Sequence, residues 1–339
     1  MLDAELLRET ELLQRSWMQH DSAKLRDYLV SDVEDPRINI QSILSRHFIL
    51  EQLGGPDFAT LREQELRFAL VMNWLLCLHK ACITFEDLES ILFGLRRGAD
   101  SVEGVPIPGF VTQAHKGLAH ANERWNIPDY FELAFAGGKQ ALNDTLPVFQ
   151  GVWSRVLQEQ KASQKISLVE PACGSANDYR FLETFGLARF LNYTGFDLCE
   201  KNITNARELF PKARFDVGNM LETGYSDGSF RCAVVHDLFE HLSIRAMERA
   251  IDELCRIVSG AVCVGFFSMH EGEEHVVRPM DDYHWNKLST GRIKDLFSRH
   301  GFEVQVIHVD SFLRACFHFE QTHNKDAYTF VARKRRVSD

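Results

Sequence analysis

The second half of the chain alternates short apolar runs with segments of helical periodicity. Seven apolar runs have the length and composition of buried strands, at 166–170, 191–197, 214–217, 231–236, 261–267, 302–309 and 328–333. Helical spacing is clearest between them at about 200–210, 243–258 and 290–300. Buried strands that are connected by helices form a mainly parallel sheet with both faces covered. The sequence therefore predicts a doubly wound, Rossmann-like α/β fold with a seven-stranded sheet.

Polar or small residues stand at the ends of five consecutive apolar runs. Ligands of doubly wound sheets bind outside the carboxyl ends of the strands, where the strand order reverses. We therefore expect these residues to surround the ligand. In chain order they are Glu170, Asp197, Asn219 with Met220, His236 with Asp237, and Ser268 with His270.

The residues after the first two runs indicate a nucleotide-like ligand. Ala172 and Gly174 belong to a small-residue turn that allows close approach of the backbone, and the helix that follows offers free N–H groups. Asp197 can accept hydrogen bonds from both ribose hydroxyls, which fits NAD and S-adenosylmethionine alike. Glu170, at the start of the turn, would face an amino group rather than a pyrophosphate. Asn219, with the backbone of the next residue, suits an adenine edge, which favours S-adenosylmethionine.

Four motifs together resemble those of class I S-adenosylmethionine-dependent methyltransferases, over about residues 160–335. They are Glu-Pro-Ala-Cys-Gly-Ser-Ala (170–176), Gly-Phe-Asp (195–197), Val-Gly-Asn-Met (217–220) and His-Asp-Leu-Phe-Glu-His-Leu (236–242). Alanines replace the usual first and third glycines, and Asn219 stands where Asp is common. The resemblance implies these cofactor-binding residues: Glu170, Ala172 and Gly174 for the methionine end, Asp197 for the ribose, Asn219 and Met220 for the adenine, and His236.

The first half of the chain is predicted to be mainly helical. Two of its segments, 38–53 and 61–79, have helical spacing, and Thr84 with Asp87 can cap a further helix. We expect residues 1–155 to form a helical cap or dimerisation domain and residues 156–339 the catalytic, cofactor-binding domain. A homodimer is expected through the helical part. Arg124 and Trp125 are candidates for contact with a substrate.

Histidines and acids near the fourth and fifth runs raise the possibility of a metal. Two imidazoles and a carboxylate can form a three-ligand face with open positions for a chelating substrate. A solvated acidic lid and a common strand-end acid explain the same residues without metal. Spacing alone does not decide between these interpretations.

The helical first half, the sheet and the His-Asp pair also resemble the α-keto acid C-methyltransferases of non-ribosomal peptide pathways. This resemblance implies methylation at the β-carbon of a substrate such as phenylpyruvate, 4-methyl-2-oxovalerate or 5-guanidino-2-oxopentanoate. It also implies a metal, such as iron or zinc, that is held by His236, Asp237 and His284. His270 and His275 stay open as the third ligand. A Lewis-acidic metal would stabilise the enolate.

Substrate contacts are predicted less narrowly. Arg124 would hold the substrate carboxylate, with Arg278 as the second choice. The acidic residues of the loop after the fifth run, called the lid, would suit a cationic side chain, and the nearby aromatic residues would suit an aryl one. The acidic residues are Glu271, Glu273, Glu274, Asp281 and Asp282, and the aromatic residues are Phe266, Phe267, Tyr283 and Trp285.

Two other functions remain compatible with the sequence. One is a metal-independent O- or N-methyltransferase in which His236 or His241 is a general base. The other is a protein that binds S-adenosylmethionine without catalysis. The net charge of −10 disfavours nucleic acid as the main partner. No apolar run reaches the roughly 20 residues that span a bilayer, and the amino terminus lacks the features of a signal peptide. A cytoplasmic location is therefore expected.

Overall fold

A computed structural model describes residues 2–31, 35–54, 58–81, 83–118, 127, 146–158 and 165–335. In the first half these residues form mainly helices. Thr84 and Asp87 form the reciprocal capping box that the sequence predicts. The elements are α1 (Ala4–Gln19), α2 (Ser22–Ser31), α3 (Ile40–Gln52), α4 (Ala59–Lys80), α5 (Phe85–Arg96), β1 (Ser101–Val102), β2 (Val105–Pro106), α6 (Gly109–Leu118) and α7 (Leu146–Leu157).

Strands and helices alternate in the second half. None of the described helices is both long and apolar enough to cross a membrane. The elements are β3 (Ile166–Pro171), α8 (Asn177–Thr184), β4 (Leu191–Asp197), α9 (Glu200–Leu209), β5 (Arg214–Val217), β6 (Phe230–His236), α10 (Ile244–Ile257), β7 (Val258–Phe266), β8 (Met269–His270), β9 (Leu288–Ser289), α11 (Thr290–Arg299), β10 (Phe302–His308), α12 (Val309–Phe317) and β11 (Tyr328–Lys334).

Seven strands form the central sheet in the order β10-β11-β7-β6-β3-β4-β5. The strands from β3 to β7 are parallel, and β11 is antiparallel to both of its neighbours. The α/β, doubly wound prediction is therefore confirmed. The strand order reverses between β3 and β6, so the carboxyl ends of these strands and of β4 and β5 define the ligand-binding edge.

The helices of the first half pack directly on one face of the sheet. Ile43 and Phe48 of α3 belong to the same buried apolar cluster as Val234 of β6 and Cys263 of β7. The opposite face is covered by α10 and α11. A second buried apolar cluster lies there and includes Met247 of α10. The α3–α7 region therefore shares a core with the sheet, and the domain boundary at residue 155 stays a prediction.

Helix α1 crosses the ligand-binding edge of the sheet. The Glu9 carboxylate accepts hydrogen bonds from the Ser243 N–H (2.7 Å) and hydroxyl (2.6 Å), just before α10. Gln14 donates to the carbonyl of Leu198, and Lys201 donates to the carbonyl of Met18 at 2.6 Å. The amino-terminal helix is therefore held against the loops that follow β4 and β6.

Candidate active site

The turn after β3 has a backbone conformation that favours glycine. Ala172, Gly174 and Ala176 have φ values of 54°, 53° and 67°, in the left-handed region. A side chain in this region costs about 1–2 kcal/mol. The two alanines therefore occupy positions whose geometry explains why glycine is usual there. The turn directs the Gly174 N–H to the Asp197 carboxylate at 3.0 Å.

Glu170 lies buried at the end of β3 and faces Tyr193. The Tyr193 hydroxyl donates a hydrogen bond of 2.6 Å to the Glu170 carboxylate. The hydroxyl passes over Gly195, where a Cβ atom would lie 2.8 Å from it. Burial and the nearby Asp178 carboxylate raise the pKa of Glu170 to about 8. An ammonium group placed here would favour the ionised form.

Asp197 is oriented at the end of β4 by groups around it. Its Oδ1 atom accepts hydrogen bonds from the Cys199 N–H (2.8 Å) and from the Asn202 amide (3.2 Å). Burial raises the pKa of Asp197, and these donors oppose that shift. A carboxylate that is fixed in this way can accept hydrogen bonds from the two hydroxyls of a ribose.

Asn219 follows β5 and contacts α1. Its Oδ1 atom accepts the Leu221 N–H at 2.9 Å, and its Nδ2 atom donates to the Thr10 hydroxyl oxygen at 3.2 Å. The Thr10 hydroxyl donates its own proton to the Leu6 carbonyl at 2.9 Å. Both ends of the Asn219 amide are therefore assigned by their partners. Oδ1 keeps one lone pair for an adenine amino group, and the neighbouring Met220 is buried.

His236 forms an ion pair at the end of β6. Its Nδ1 atom lies 2.6 Å from the carboxylate of Asp178, which is in the first turn of α8. Burial alone would lower the pKa of His236, but Asp178 outweighs it and raises that pKa to about 9. Asp237 has a left-handed φ of 49°. Desolvation at the strand end raises the pKa of Asp237 to about 6, and the nearby His236 opposes that shift. Asp237 is nevertheless exposed to solvent.

His241 is a neutral imidazole surrounded by aromatic rings. Its ring centroid lies 5.2 Å from that of Phe267, 5.7 Å from Tyr283 and 5.3 Å from Trp285. Its Nδ1 atom lies 3.2 Å from the carbonyl oxygen of His284, which can only accept, so Nδ1 carries the proton. Burial lowers the pKa of His241 against this hydrogen bond. Nε2 therefore presents a lone pair.

The residues that were predicted to hold a metal do not come together as a ligand group in this structure. The part of the chain that the structure describes contains no group of three or more His, Cys, Asp or Glu side chains placed to bind a metal ion. A histidine ligand must be deprotonated, whereas Asp178 stabilises the protonated form of His236. The ligand set His236, Asp237 and His284 therefore stays a prediction.

His270 and His275, the alternative third ligands, each accept a hydrogen bond from a backbone N–H. The Nδ1 atom of His270 accepts the Gly272 N–H at 3.0 Å, and that of His275 accepts the Ser289 N–H at 3.0 Å. Arg124 and Trp125, the candidates for substrate contact, lie outside the described residues.

A family model described as "Methyltransferase domain" matches residues 169–262. The chain contains a methyltransferase domain. The matched segment includes the turn after β3, Asp197, Asn219 and His241. The search of curated proteins found no match.

Solved structures with low sequence identity resemble part of the chain. One is an S-adenosylmethionine-dependent methyltransferase from Methanosarcina mazei (15% identity, 53% of this chain and 96% of that one, TM-score 0.40). Another, from Mesorhizobium loti, has 14% identity over 54% and 97% of the two chains, with a TM-score of 0.39. A third is the 1,6-didemethyltoxoflavin-N1-methyltransferase of Burkholderia thailandensis (13% identity, 68% and 92%, TM-score 0.38). Because all three TM-scores are low, these structures do not support the fold assignment. That assignment depends on the strand order of the central sheet.

The structure adds residues that the sequence analysis did not assign to the methyltransferase domain's site. Asp178 lies two residues after the first motif and was given no role, although an acid in the first turn of a helix is a recognisable signal. Tyr193 could have been found from strand alternation, because it shares a face with Gly195 beside Glu170. Thr10 had no detectable signal, because its partner Asn219 is far away in the sequence.

Proposed function

We propose that this protein transfers a methyl group from S-adenosylmethionine to a small molecule. The observation that carries the proposal is the arrangement of Glu170, Asp197 and Asn219 at the ends of three neighbouring parallel strands. These side chains suit, in order, the ammonium, ribose and adenine parts of the donor. The match of residues 169–262 to a methyltransferase domain supports the same donor.

His241 is the group best suited to accept a proton from the acceptor. Its Nδ1–H is held by the His284 carbonyl, and its pKa is lowered, so Nε2 is a free base at neutral pH. The acceptor's lone pair attacks the methyl carbon in line, the S–CH₃ bond breaks, and the sulfonium becomes a neutral thioether. The acceptor's proton passes to Nε2 of His241. Positioning of this kind and a general base are both established sources of rate enhancement.

The finer prediction, C-methylation at the β-carbon of an α-keto acid, belongs to this proposal as one version of it. The proton would then leave carbon, and His241 would again accept it. The rings around His241 support an aryl substrate such as phenylpyruvate. No step is assigned to a metal, because the described residues form no group of three or more possible ligands. Transfer to an oxygen or nitrogen atom is the second version, and the same base supports it.

The test is label transfer from methyl-labelled S-adenosylmethionine to a panel of 2-oxo acids, phenols and N-heterocycles, with and without a chelator. We expect transfer to at least one class. His241→Gln should reduce kcat about 10²- to 10⁴-fold and leave the Kd for S-adenosylmethionine unchanged. The exposed His323→Gln is the matched control and should behave as wild type.

Each other outcome has a distinct meaning. Absence of S-adenosylmethionine binding would refute the proposal as a whole. Tight binding without transfer to any acceptor class would favour the non-catalytic alternative. Activity that is abolished by chelator and restored by iron or zinc would refute the metal-independent mechanism. The predicted homodimer is part of this proposal, and light scattering in solution tests it.

A further inference from the structure

The segment between β8 and β9 contains a β-hairpin, 276–287. Val276 pairs with Lys287, and Pro279 with His284. The Met280 N–H donates to the Tyr283 carbonyl at 2.8 Å, and the Trp285 N–H donates to the Arg278 carbonyl at 2.8 Å. Since side chains alternate along each strand, this register sets one group of side chains on the same face. We call it the lid face: Val276, Arg278, Met280, Tyr283, Trp285 and Lys287.

The lid face continues the surface around His241. The N–H groups of His284 and Asn286 donate to the carbonyls of His241 and Glu240, each at 3.0 Å, so the second hairpin strand is joined to the end of the β6 region. The rings of Tyr283 and Trp285 therefore contact His241. Trp285 also lies 4.9 Å from Phe267, centroid to centroid.

Much of this apolar surface is open to solvent. The exposed fractions are 41% for Val276, 51% for Met280, 36% for Tyr283 and 44% for Trp285. Clustered exposure of large apolar side chains marks a binding surface more often than isolated exposure does. Because Tyr283 and Trp285 also contact the proposed base, this surface is placed to receive the methyl acceptor.

Arg278 supplies a cation on the lid face. It is exposed, and it forms no ion pair with any residue in the described ranges. Its strand neighbour is Trp285, whose backbone N–H it accepts, and adjacent strands lie about 5 Å apart. The long side chain can therefore reach across an aromatic ring that is stacked on Trp285.

The acidic residues of the same segment have other roles. Asp281 and Asp282 form the two-residue tip of the hairpin, a position that favours Asp for its local hydrogen bonding. Glu274 forms an ion pair with Arg292. The acid-rich composition therefore does not by itself indicate a cationic acceptor.

We propose that the methyl acceptor is an aryl carboxylate that binds on the lid face. Tyr283 and Trp285 stack against its ring, the Arg278 guanidinium pairs with its carboxylate, and its nucleophilic atom faces Nε2 of His241. Arginine suits this role because its planar fork binds a carboxylate through two parallel hydrogen bonds. The inference rests on the proposed methyl transfer and specifies the class of acceptor.

The experiment compares matched probes that differ only in charge. Binding of 4-hydroxybenzoate, 4-hydroxybenzamide, phenylpyruvate and phenylpyruvamide is measured by calorimetry with S-adenosylhomocysteine present. We expect each carboxylate to bind at least about tenfold more tightly than its amide, as a charge-assisted hydrogen bond implies. Arg278→Gln should remove about 10- to 100-fold of the carboxylate affinity and leave amide binding unchanged.

Controls separate this inference from the function on which it rests. Arg292→Gln removes a cation of α11 that already pairs with Glu274 and should not change acceptor binding. Arg278→Lys should keep part of the carboxylate affinity that Arg278→Gln loses. If S-adenosylhomocysteine still binds, any one of three results would overturn the inference. These are equal binding of carboxylates and amides, unchanged carboxylate affinity in Arg278→Gln, and no binding of either carboxylate. Loss of S-adenosylhomocysteine binding in the wild type would instead overturn the proposed function.

Discussion

Binding of the methyl donor should weaken as the pH falls, because Glu170 must be ionised to hold its ammonium group. Before the donor binds, burial and Asp178 raise the pKa of Glu170 to about 8. The ionised fraction is then about one tenth at pH 7 and about one hundredth at pH 6. Apparent affinity is proportional to the binding-competent fraction. We therefore expect it to fall about tenfold from pH 7 to pH 6.

Calorimetry with S-adenosylhomocysteine between about pH 6 and 7.5 measures this effect. The upper limit keeps the ligand's own amino group protonated. Titrations in two buffers of different ionisation enthalpy count the released protons, and about 0.9 should leave for each ligand bound at pH 7. Tyr193→Phe removes the hydroxyl that stabilises the Glu170 carboxylate. The variant should therefore need a higher pH to reach the same donor affinity.

Glu170→Gln should bind more weakly than wild type and show no pH dependence in this range. Glu183→Gln changes an exposed acid on the adjacent helix α8 and should preserve both the affinity and its slope. Wild-type affinity that does not change between pH 6 and 7.5 would refute the reasoning. A slope that persists in Glu170→Gln would assign the proton to another group, such as Asp237.

Three further predictions concern the same edge of the sheet. Thr10→Val should weaken donor binding several-fold by releasing the Asn219 amide, Thr10→Ser should restore it, and the Kd from calorimetry decides. Ala172→Gly should raise the free energy of unfolding by about 0.5 kcal/mol in urea titrations, because relief of the left-handed strain exceeds glycine's added chain entropy. Thermal melts should show stability falling between about pH 6.5 and 9: His236 and Glu240, with pKa values raised to about 9 and 8, hold protons that the unfolded chain releases earlier. A melting temperature that rises over this range would contradict that sign.

The strands of the sheet were predictable because burial makes them apolar and their ends polar. The bounds of β4 and β5 agree with the prediction to the residue, and the other strands of the sheet differ by up to three residues at an end. Helix α12 was missed, because its apolar residues follow β10 without a break in composition. The short strands β8 and β9 were also missed, because they pair with each other across the lid and leave no periodic pattern.

The sequence by itself determined the α/β fold and located the predicted cofactor residues Glu170, Asp197 and Asn219 at strand ends, because each follows directly from a local pattern. Only the tertiary structure decided the protonation and partners of these groups. Asp178 reaches His236 at the sheet edge and pairs with its imidazole, which raises the pKa of His236. Likewise, hairpin register alone sets Arg278 beside Trp285. Local spacing encodes neither effect, because the first joins residues 58 positions apart and the second depends on the hydrogen-bond register of the hairpin.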